Sequence, residues 1–167
     1  MPEQRPPTKA DLLGALRSSG EEFLATLRGL PPDRFEEGRY EGGWNGRQIL
    51  AHVAAIEWTY PKLLEIPAQA PPSAGSHEPP SGAVSGGIDA YNERQVARRA
   101  DVPVADLLAE FERNRATTIA AVETVGEELL AKPIRSAGGI TGPLGQVFHA
   151  VAVEHVLGHM RDIAGAT

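Results

Sequence analysis

Four long segments of this chain carry apolar residues at every third or fourth position, the spacing that aligns side chains on one face of an α-helix. The first segment follows Thr8, a candidate N-cap residue, and Pro31 stops it. The second follows Asn45, for which Gln48 is the capping-box partner, and Pro61 marks a kink or an early end. Both segments are therefore bounded by the signals that helices use.

The third and fourth segments are predicted to be helices as well. The third opens at Asp101 and Pro103. Three of its charged residues are predicted to face solvent: Glu112, Arg113 and Arg115. The fourth follows a Gly-rich turn and spans residues 143–164. Because it is apolar around most of its circumference, it should lie deep in a helical bundle.

The connection between the second and third segments is rich in Pro, Gly, Ser and Ala, and residues 67–87 are predicted to form one long surface loop. The sequence shows no repeated strand pattern and no internal repeat. A length of 167 residues suits one domain, so residues 1–167 are expected to form a single unit. The predicted fold is all-α, a four-helix bundle whose long connection permits a crossover.

Composition limits the classes of function. The 22 acidic residues outnumber the 16 basic ones and no Lys/Arg run breaks the pattern, which argues against a nucleic-acid partner. No apolar run approaches the roughly 20 residues that cross a bilayer, and the N-terminus has no apolar signal core, so we expect a cytoplasmic protein without a membrane partner. Cysteine is absent, so any metal must be bound by His, Asp or Glu.

Two histidines, His155 and His159, lie four positions apart and so stack on one face of the fourth segment. His52 extends a matching apolar face on the second segment, with Ile49 and Ile56. Converging buried imidazoles satisfy one another poorly, and a divalent metal resolves that conflict by accepting a lone pair from each ring. Separate hydrogen bonds in the core are the alternative, since this spacing also arises by chance. The residues alone leave both interpretations open.

Other polar residues near these histidines are predicted to have lesser roles. His149 is about 120° from His155 around the helix, and we expect a structural or surface role for it. Glu154 projects to the polar stripe of the same helix. Asp162 could accept a hydrogen bond from His159 and orient it, although an exposed carboxylate is the simpler interpretation.

Five residues outside the fourth segment give weaker functional signals. Asn92 and Glu93 could lie at the mouth of the bundle, but a solvated short helix is the preferred interpretation. Trp44 and Trp58 are predicted to be packing anchors, because the chain has few aromatic residues for its core. His77 lies in the Pro-rich loop and is predicted to be solvated.

The arrangement of one tryptophan and three histidines resembles the DinB-like superfamily. The resemblance is carried by Trp44 before a capped helix, by His52, and by a terminal helix with His155 and His159, and it spans nearly the whole chain. It implies an up-down-down-up bundle with the long crossover between helices two and three. The three histidines match the metal-binding histidines of the family. The chain reads HMRD at the last of them, where many relatives read HRGQ, so this end of the pocket departs from the family pattern.

The resemblance also implies a function. The superfamily includes S-transferases that use bacillithiol or mycothiol, and mycothiol-dependent maleylpyruvate isomerase. A similar protein would bind a divalent transition metal, with zinc or nickel suited to three imidazoles, and act on a small electrophile through a metal-activated thiolate. Without Cys in the chain, the thiol would be a low-molecular-weight cosubstrate. Two alternatives stay open: a hydrolase that activates water at the metal, and a noncatalytic homodimeric bundle with a structural metal.

Overall fold

Helices dominate the part of the chain that the structure describes. The computed structural model describes residues 7–36, 44–65, 87–135 and 140–164. Its helices, in chain order, are α1 (Lys9–Arg28), α2 (Gly46–Glu57), α3 (Gly87–Arg98), α4 (Val104–Glu123), α5 (Glu127–Leu130), α6 (Leu144–His149) and α7 (His155–Ala164). Short 3-10 helices span Pro32–Phe35 and Tyr60–Glu65, and a π-helical segment, Ala150–Glu154, joins α6 to α7. The predicted all-α class is confirmed.

Capping boxes fix where α1 and α2 begin. Thr8 Oγ1 accepts a hydrogen bond from the Asp11 amide at 3.1 Å, and Asp11 Oδ2 accepts one from the Thr8 amide at 3.0 Å. Asn45 and Gln48 form the same reciprocal pair at 2.9 and 3.0 Å. Each pair satisfies two amides that the first helical turn leaves without a partner. Both helices therefore start where the sequence predicts.

Contacts between α2 and α4 show that these helices run in the same direction. Near the start of α2, Arg47 donates a hydrogen bond to the carbonyl of Val102, just before α4 begins. Farther along both helices, Asn114 Nδ2 donates to Ala54 O at 3.0 Å. Since two parallel neighbours cannot be joined by a short turn, the chain must cross over between them.

The first long helix, α1, runs antiparallel to α4. Lys9 Nζ, at the start of α1, donates to Glu123 O at the end of α4 at 2.7 Å. At the other end, Arg28 forms an ion pair with Glu112, with 2.9 Å between Nη2 and Oε2. These two contacts fix the direction of α1 relative to α2 as well.

The last helix runs antiparallel to α2. Gly46, the first residue of α2, packs beside Ile163, near the end of α7, so closely that a Cβ on Gly46 would stand 3.3 Å from the Ile163 side chain. In chain order, α1, α2, α4 and the helical stretch from α6 to α7 therefore run up, down, down and up. This confirms the predicted topology, with α3 lying on the crossover between α2 and α4.

Two side chains differ in burial from what the sequence predicts. Arg115 is predicted to face solvent, but only 4% of it is exposed, because it pairs with Glu57 inside the bundle. Trp58 is predicted to be a packing anchor, but 56% of it is exposed. Its backbone lies in the turn after α2 has ended, and Lys62 Nζ stands 3.9 Å from the centre of its ring.

A short antiparallel hairpin precedes the last helix. Strand β1 (Pro133–Arg135) pairs with β2 (Thr141–Pro143), and Ile134 lies opposite Gly142. The sequence indicates only a Gly-rich turn here, because strands of three residues are too short to show an alternating pattern. The hairpin is a correction to the predicted turn and leaves the helical class unchanged.

The predicted loop at 67–87 and the extent of the single domain both involve residues outside the described part of the chain. Apart from Gly87, the predicted loop at 67–87, with His77, lies outside the described residues. The extent of the single domain stays a prediction. Among the described residues, no helix is both long enough and apolar enough to cross a membrane.

Candidate metal centre

His52 lies in the middle of α2, on the face that points into the bundle. Only 5% of its surface is exposed, and its neighbours Ile49 and Val53 are fully buried. Trp44, which precedes the helix and is half-buried, packs beside it, with 5.2 Å between the two ring centroids. Packing therefore restricts the position of this imidazole.

The last helix changes its hydrogen-bond pattern just before the other two histidines. The amide of His155 donates to Ala150 O, five residues back, where an α-helix would use the carbonyl four residues back. Such a π turn adds one residue, which rotates the side chains that follow by roughly 100° relative to a continuous α-helix. The helix predicted over 143–164 is present, but a π turn that was not predicted interrupts its α-helical pattern here.

The three histidines converge. One ring nitrogen from each of His52, His155 and His159 can be chosen so that all three lie within 4.8 Å of one another. His155 Nε2 and His159 Nε2 are 2.9 Å apart. The ring centroid of His52 is 5.9 Å from that of His155 and 5.3 Å from that of His159. In the described part of the chain, no other group of His, Asp or Glu side chains has this arrangement.

The cluster lies at the edge of the bundle and opens toward solvent. His52 and His159 are each 5% exposed, whereas His155 is an exposed residue. The sequence predicts that all three point into the core, so the exposure of His155 is a correction. It follows that a ligand could reach the histidines from the side of His155.

Burial and the neighbouring imidazoles keep His52 neutral. Burial, followed by electrostatic repulsion from His159 and from His155, lowers the pKa of His52 to about 3. A neutral imidazole has a lone pair on one ring nitrogen, which is the form that binds a metal. The donor set therefore suits a divalent transition metal.

Asp162 lies behind His159, on the side away from His155. Asp162 Oδ2 is 3.5 Å from His159 Nδ1, and about half of the Asp162 side chain is exposed. A carboxylate at the Nδ1 atom of a histidine favours the tautomer whose Nε2 carries the lone pair. At 3.5 Å the contact is longer than a hydrogen bond and Asp162 is exposed, so any orienting role for Asp162 would act through its charge.

Replacing Asp162 with asparagine is expected to weaken Zn²⁺ binding about tenfold, the lower end of the range for partners of metal ligands, because the contact is long and partly exposed. A competition titration against a chromophoric chelator measures the change. Glu154→Gln is the matched control, since Glu154 is more exposed and faces His149 instead, with 3.3 Å between Oε1 and Nδ1. Equal losses in the two variants would contradict the orienting role.

The remaining predicted candidates do not join the cluster. His149 pairs with Glu154, in agreement with the structural or surface role expected for it. Asn92 is half-buried and Glu93 is exposed on α3, and neither belongs to the group of potential ligands. These observations leave the three histidines as the candidate site.

Sequence reasoning missed a buried charged pair farther along α2. Glu57 and Arg115 have side chains that are 0% and 4% exposed, and Glu57 Oε1 lies 2.6 Å from Arg115 Nε. Arg115 Nη2 also donates to Ala152 O, in the π-helical segment, at 2.6 Å. A signal existed, because Arg115 follows Phe111 by four residues and so shares its apolar face.

The fold and the cluster define a class of protein: a helical bundle with potential metal ligands on facing helices. Within this class, the chain belongs to the DinB superfamily, because the model of that family matches residues 39–163, well over half of the sequence. A search of curated protein sequences finds no significant match.

Solved structures that share this fold include those of three other proteins. Mycothiol-dependent maleylpyruvate isomerase is 18% identical, with a TM-score of 0.71, and the match covers 93% of this chain but only 60% of that chain. YfiT from Bacillus subtilis, described as a probable metal-dependent hydrolase with an unusual four-helix bundle topology, is 12% identical with a TM-score of 0.72, over 99% of this chain and 90% of that chain. The colibactin self-resistance protein ClbS, solved in complex with dsDNA, is 14% identical with a TM-score of 0.63, over 97% and 98%.

These likenesses establish the fold, and at such low identity they do not assign a function to this chain. The chain spans less than two thirds of the length of the isomerase. The dsDNA belongs to the ClbS structure, and the absence of a nucleic-acid partner for this acidic chain stays a prediction.

Proposed function

We propose that this protein is a metal-dependent enzyme that joins a low-molecular-weight thiol to a small electrophile, as an S-transferase or isomerase. In this proposal His52, His155 and His159 bind a divalent transition metal, zinc or nickel. The observation that supports it best is the convergence of three ring nitrogens within 4.8 Å, with one of the histidines exposed. Three protein ligands with an open side are typical of catalytic sites, whereas structural sites are closed by four.

Each residue contributes something distinct to such a site. Burial lowers the pKa of His52, so this imidazole is neutral. Asp162 lies beside Nδ1 of His159. His155 stands at the exposed side, where a cosubstrate would enter. Trp44 packs beside His52 and restricts the position of its ring. When bound, a divalent metal with an open coordination position lowers the pKa of a thiol and stabilises the thiolate, or it activates water.

The thiol reaction is favoured over hydrolysis by the position of the carboxylates. A carboxylate beside metal-bound water would favour hydrolysis, but among the described residues no Asp or Glu belongs to the group of converging ligand atoms. Asp162 lies behind His159, and Glu57 is engaged by Arg115. Because the chain has no Cys, the nucleophilic sulfur would come from a cosubstrate.

A spectroscopic titration with Co²⁺ tests the proposal. Co²⁺ replaces zinc in sites of this kind, and N-acetylcysteine is then added as a probe thiol. We expect a sulfur-to-cobalt charge-transfer band in the near ultraviolet, and faster conjugation of the thiol to chlorodinitrobenzene than without protein. S-methyl-N-acetylcysteine, which cannot form a thiolate, is the control and should give no band.

Each outcome of the titration has a clear meaning. Bound Co²⁺ without a thiol band, together with hydrolysis of a nitrophenyl ester that His52→Ala abolishes, would favour the hydrolase. Bound Co²⁺ with neither reaction would favour a structural metal. Absence of Co²⁺ binding would contradict the metal site itself.

A further inference from the structure

We propose that the hydroxyl of Tyr60 is a positioning group, which holds the π-helical segment Ala150–Glu154 in the register that brings His155 and His159 to His52. The inference rests on the proposed metal site, since the register of the helix matters for function only if these histidines act together. It assigns a role to a residue that touches none of them.

The first argument concerns the carbonyl of Val151, which loses its α-helical hydrogen-bond donor in the π-helical segment. In an α-helix the amide of His155 would donate to Val151 O. Here that amide donates to Ala150 O, so Val151 O loses its α-helical donor. Tyr60 Oη donates to Val151 O at 2.7 Å. The hydroxyl thus supplies the hydrogen bond whose loss would otherwise favour a return to the α-helical register.

The second argument is that Tyr60 is itself fixed in position. Only 3% of it is exposed, and its ring packs against Phe148, with 6.3 Å between the centroids. It lies in the 3-10 helix that follows α2, the helix that carries His52. The hydrogen bond therefore connects the chain just after α2 to the residues just before His155.

The third argument is that the carbonyl of Ala152, the next residue, also accepts a hydrogen bond from a side chain. Arg115 Nη2 donates to Ala152 O at 2.6 Å, while Nε of the same guanidinium contacts Glu57 of α2. Two successive carbonyls of the π-helical segment thus receive donors from outside their own helix. Arg115 has other partners as well, whereas the Tyr60 hydroxyl can be removed with little other change.

The test uses Tyr60→Phe, which removes the hydroxyl and keeps the ring. In the metal-free protein, we expect amide hydrogen exchange at His155 to accelerate by about tenfold relative to the amides of α1, as the segment samples the α-helical register. Co²⁺ affinity is expected to fall by roughly 10- to 100-fold, the range for groups that orient metal ligands. The Co²⁺ absorption spectrum should change as well, because the ligands are displaced.

Val122→Ala is the matched control. Val122 is fully buried near the end of α4 and has no hydrogen-bonding side chain, so its truncation loosens the core and leaves the donors from Tyr60 and Arg115 to the π-helical segment in place. It should leave Co²⁺ affinity and the relative exchange at His155 unchanged, even though the protein becomes less stable. A purely structural role for Tyr60 would make the two variants behave alike.

The outcomes separate this inference from the proposed function. If the parent protein binds Co²⁺, the inference is overturned when Tyr60→Phe keeps the parent affinity, or loses affinity without faster exchange at His155. If the parent protein binds no Co²⁺, the proposed function fails, and amide exchange alone then tests whether Tyr60 sets the register of the π-helical segment. Faster exchange at His155 then supports the role of Tyr60 in setting the register, and unchanged exchange overturns it.

Discussion

His52→Ala is expected to weaken Zn²⁺ or Ni²⁺ binding by roughly 100-fold or more, beyond the 10- to 100-fold typical of losing a partner of a metal ligand. His52 is the one member of the cluster on α2, and the other two lie on α7. Its removal leaves a two-histidine pair on a single helix. Isothermal titration calorimetry on protein purified without a metal-affinity tag measures the change.

His149→Ala is the control for this prediction, because His149 lies in the same helical stretch as His155 and His159 but outside the cluster. It should bind metal like the parent. A second readout is thermal stability: metal at about 1,000 times its Kd should stabilise the parent by about 4 kcal/mol, with little shift in the His52 variant. Equal affinity in the parent and the His52 variant would show that the histidines do not form one site.

Arg115→Met is expected to lower the free energy of unfolding by roughly 3–5 kcal/mol at pH 8, because it leaves Glu57 buried without its partner. Burial raises the pKa of Glu57 from 4.5 to about 7, and Arg115 opposes that rise. Removing Arg115 should raise the pKa of Glu57 further. A carboxyl with a raised pKa stabilises the fold most below its unfolded value and loses this contribution as the pH rises through its folded value. The loss should therefore be smaller at pH 5 than at pH 8.

Urea unfolding at the two pH values checks this prediction, and two variants serve as controls. Arg17→Met removes a pair with Glu123 in which both side chains are about half exposed, so it should cost less than about 1 kcal/mol. The double variant Glu57→Leu with Arg115→Met should recover most of the lost stability, because an apolar pair replaces the charges. A loss that is the same at both pH values, or a double variant no better than the single one, would contradict the account.

Features carried by local pattern could be predicted from the sequence. The N-cap at Thr8 and the capping box of Asn45 with Gln48 form as predicted, and Asp11 completes a second box at Thr8 that was not predicted. Helical spacing accounts for His52 on the inward face of α2 and for His155 and His159 together on one face of the last helix, whereas their convergence also depends on the π turn. In these places local preference and tertiary packing agree.

The features that the sequence did not predict depend on tertiary contacts. Helical spacing places Arg115 on the face of Phe111, but only Glu57, which lies on another helix, explains how an arginine is accommodated in the core. The π-helical segment has no local signature, since the same residues would also suit an α-helix, and the donor from Tyr60 arrives from a distant part of the chain. Trp58 could not be placed because its exposure depends on where α2 ends.

The histidines of the cluster are far apart in the chain, with more than 100 residues between His52 and His155. Closing a loop of that length in an unfolded chain costs about 4 kcal/mol of free energy through lost chain entropy. Only the folded bundle therefore brings all three imidazoles together. A bound metal would slow the opening that exposes the chain to proteases. The turnover of this protein in a cell would then depend on the supply of metal as well as on the strength of its core.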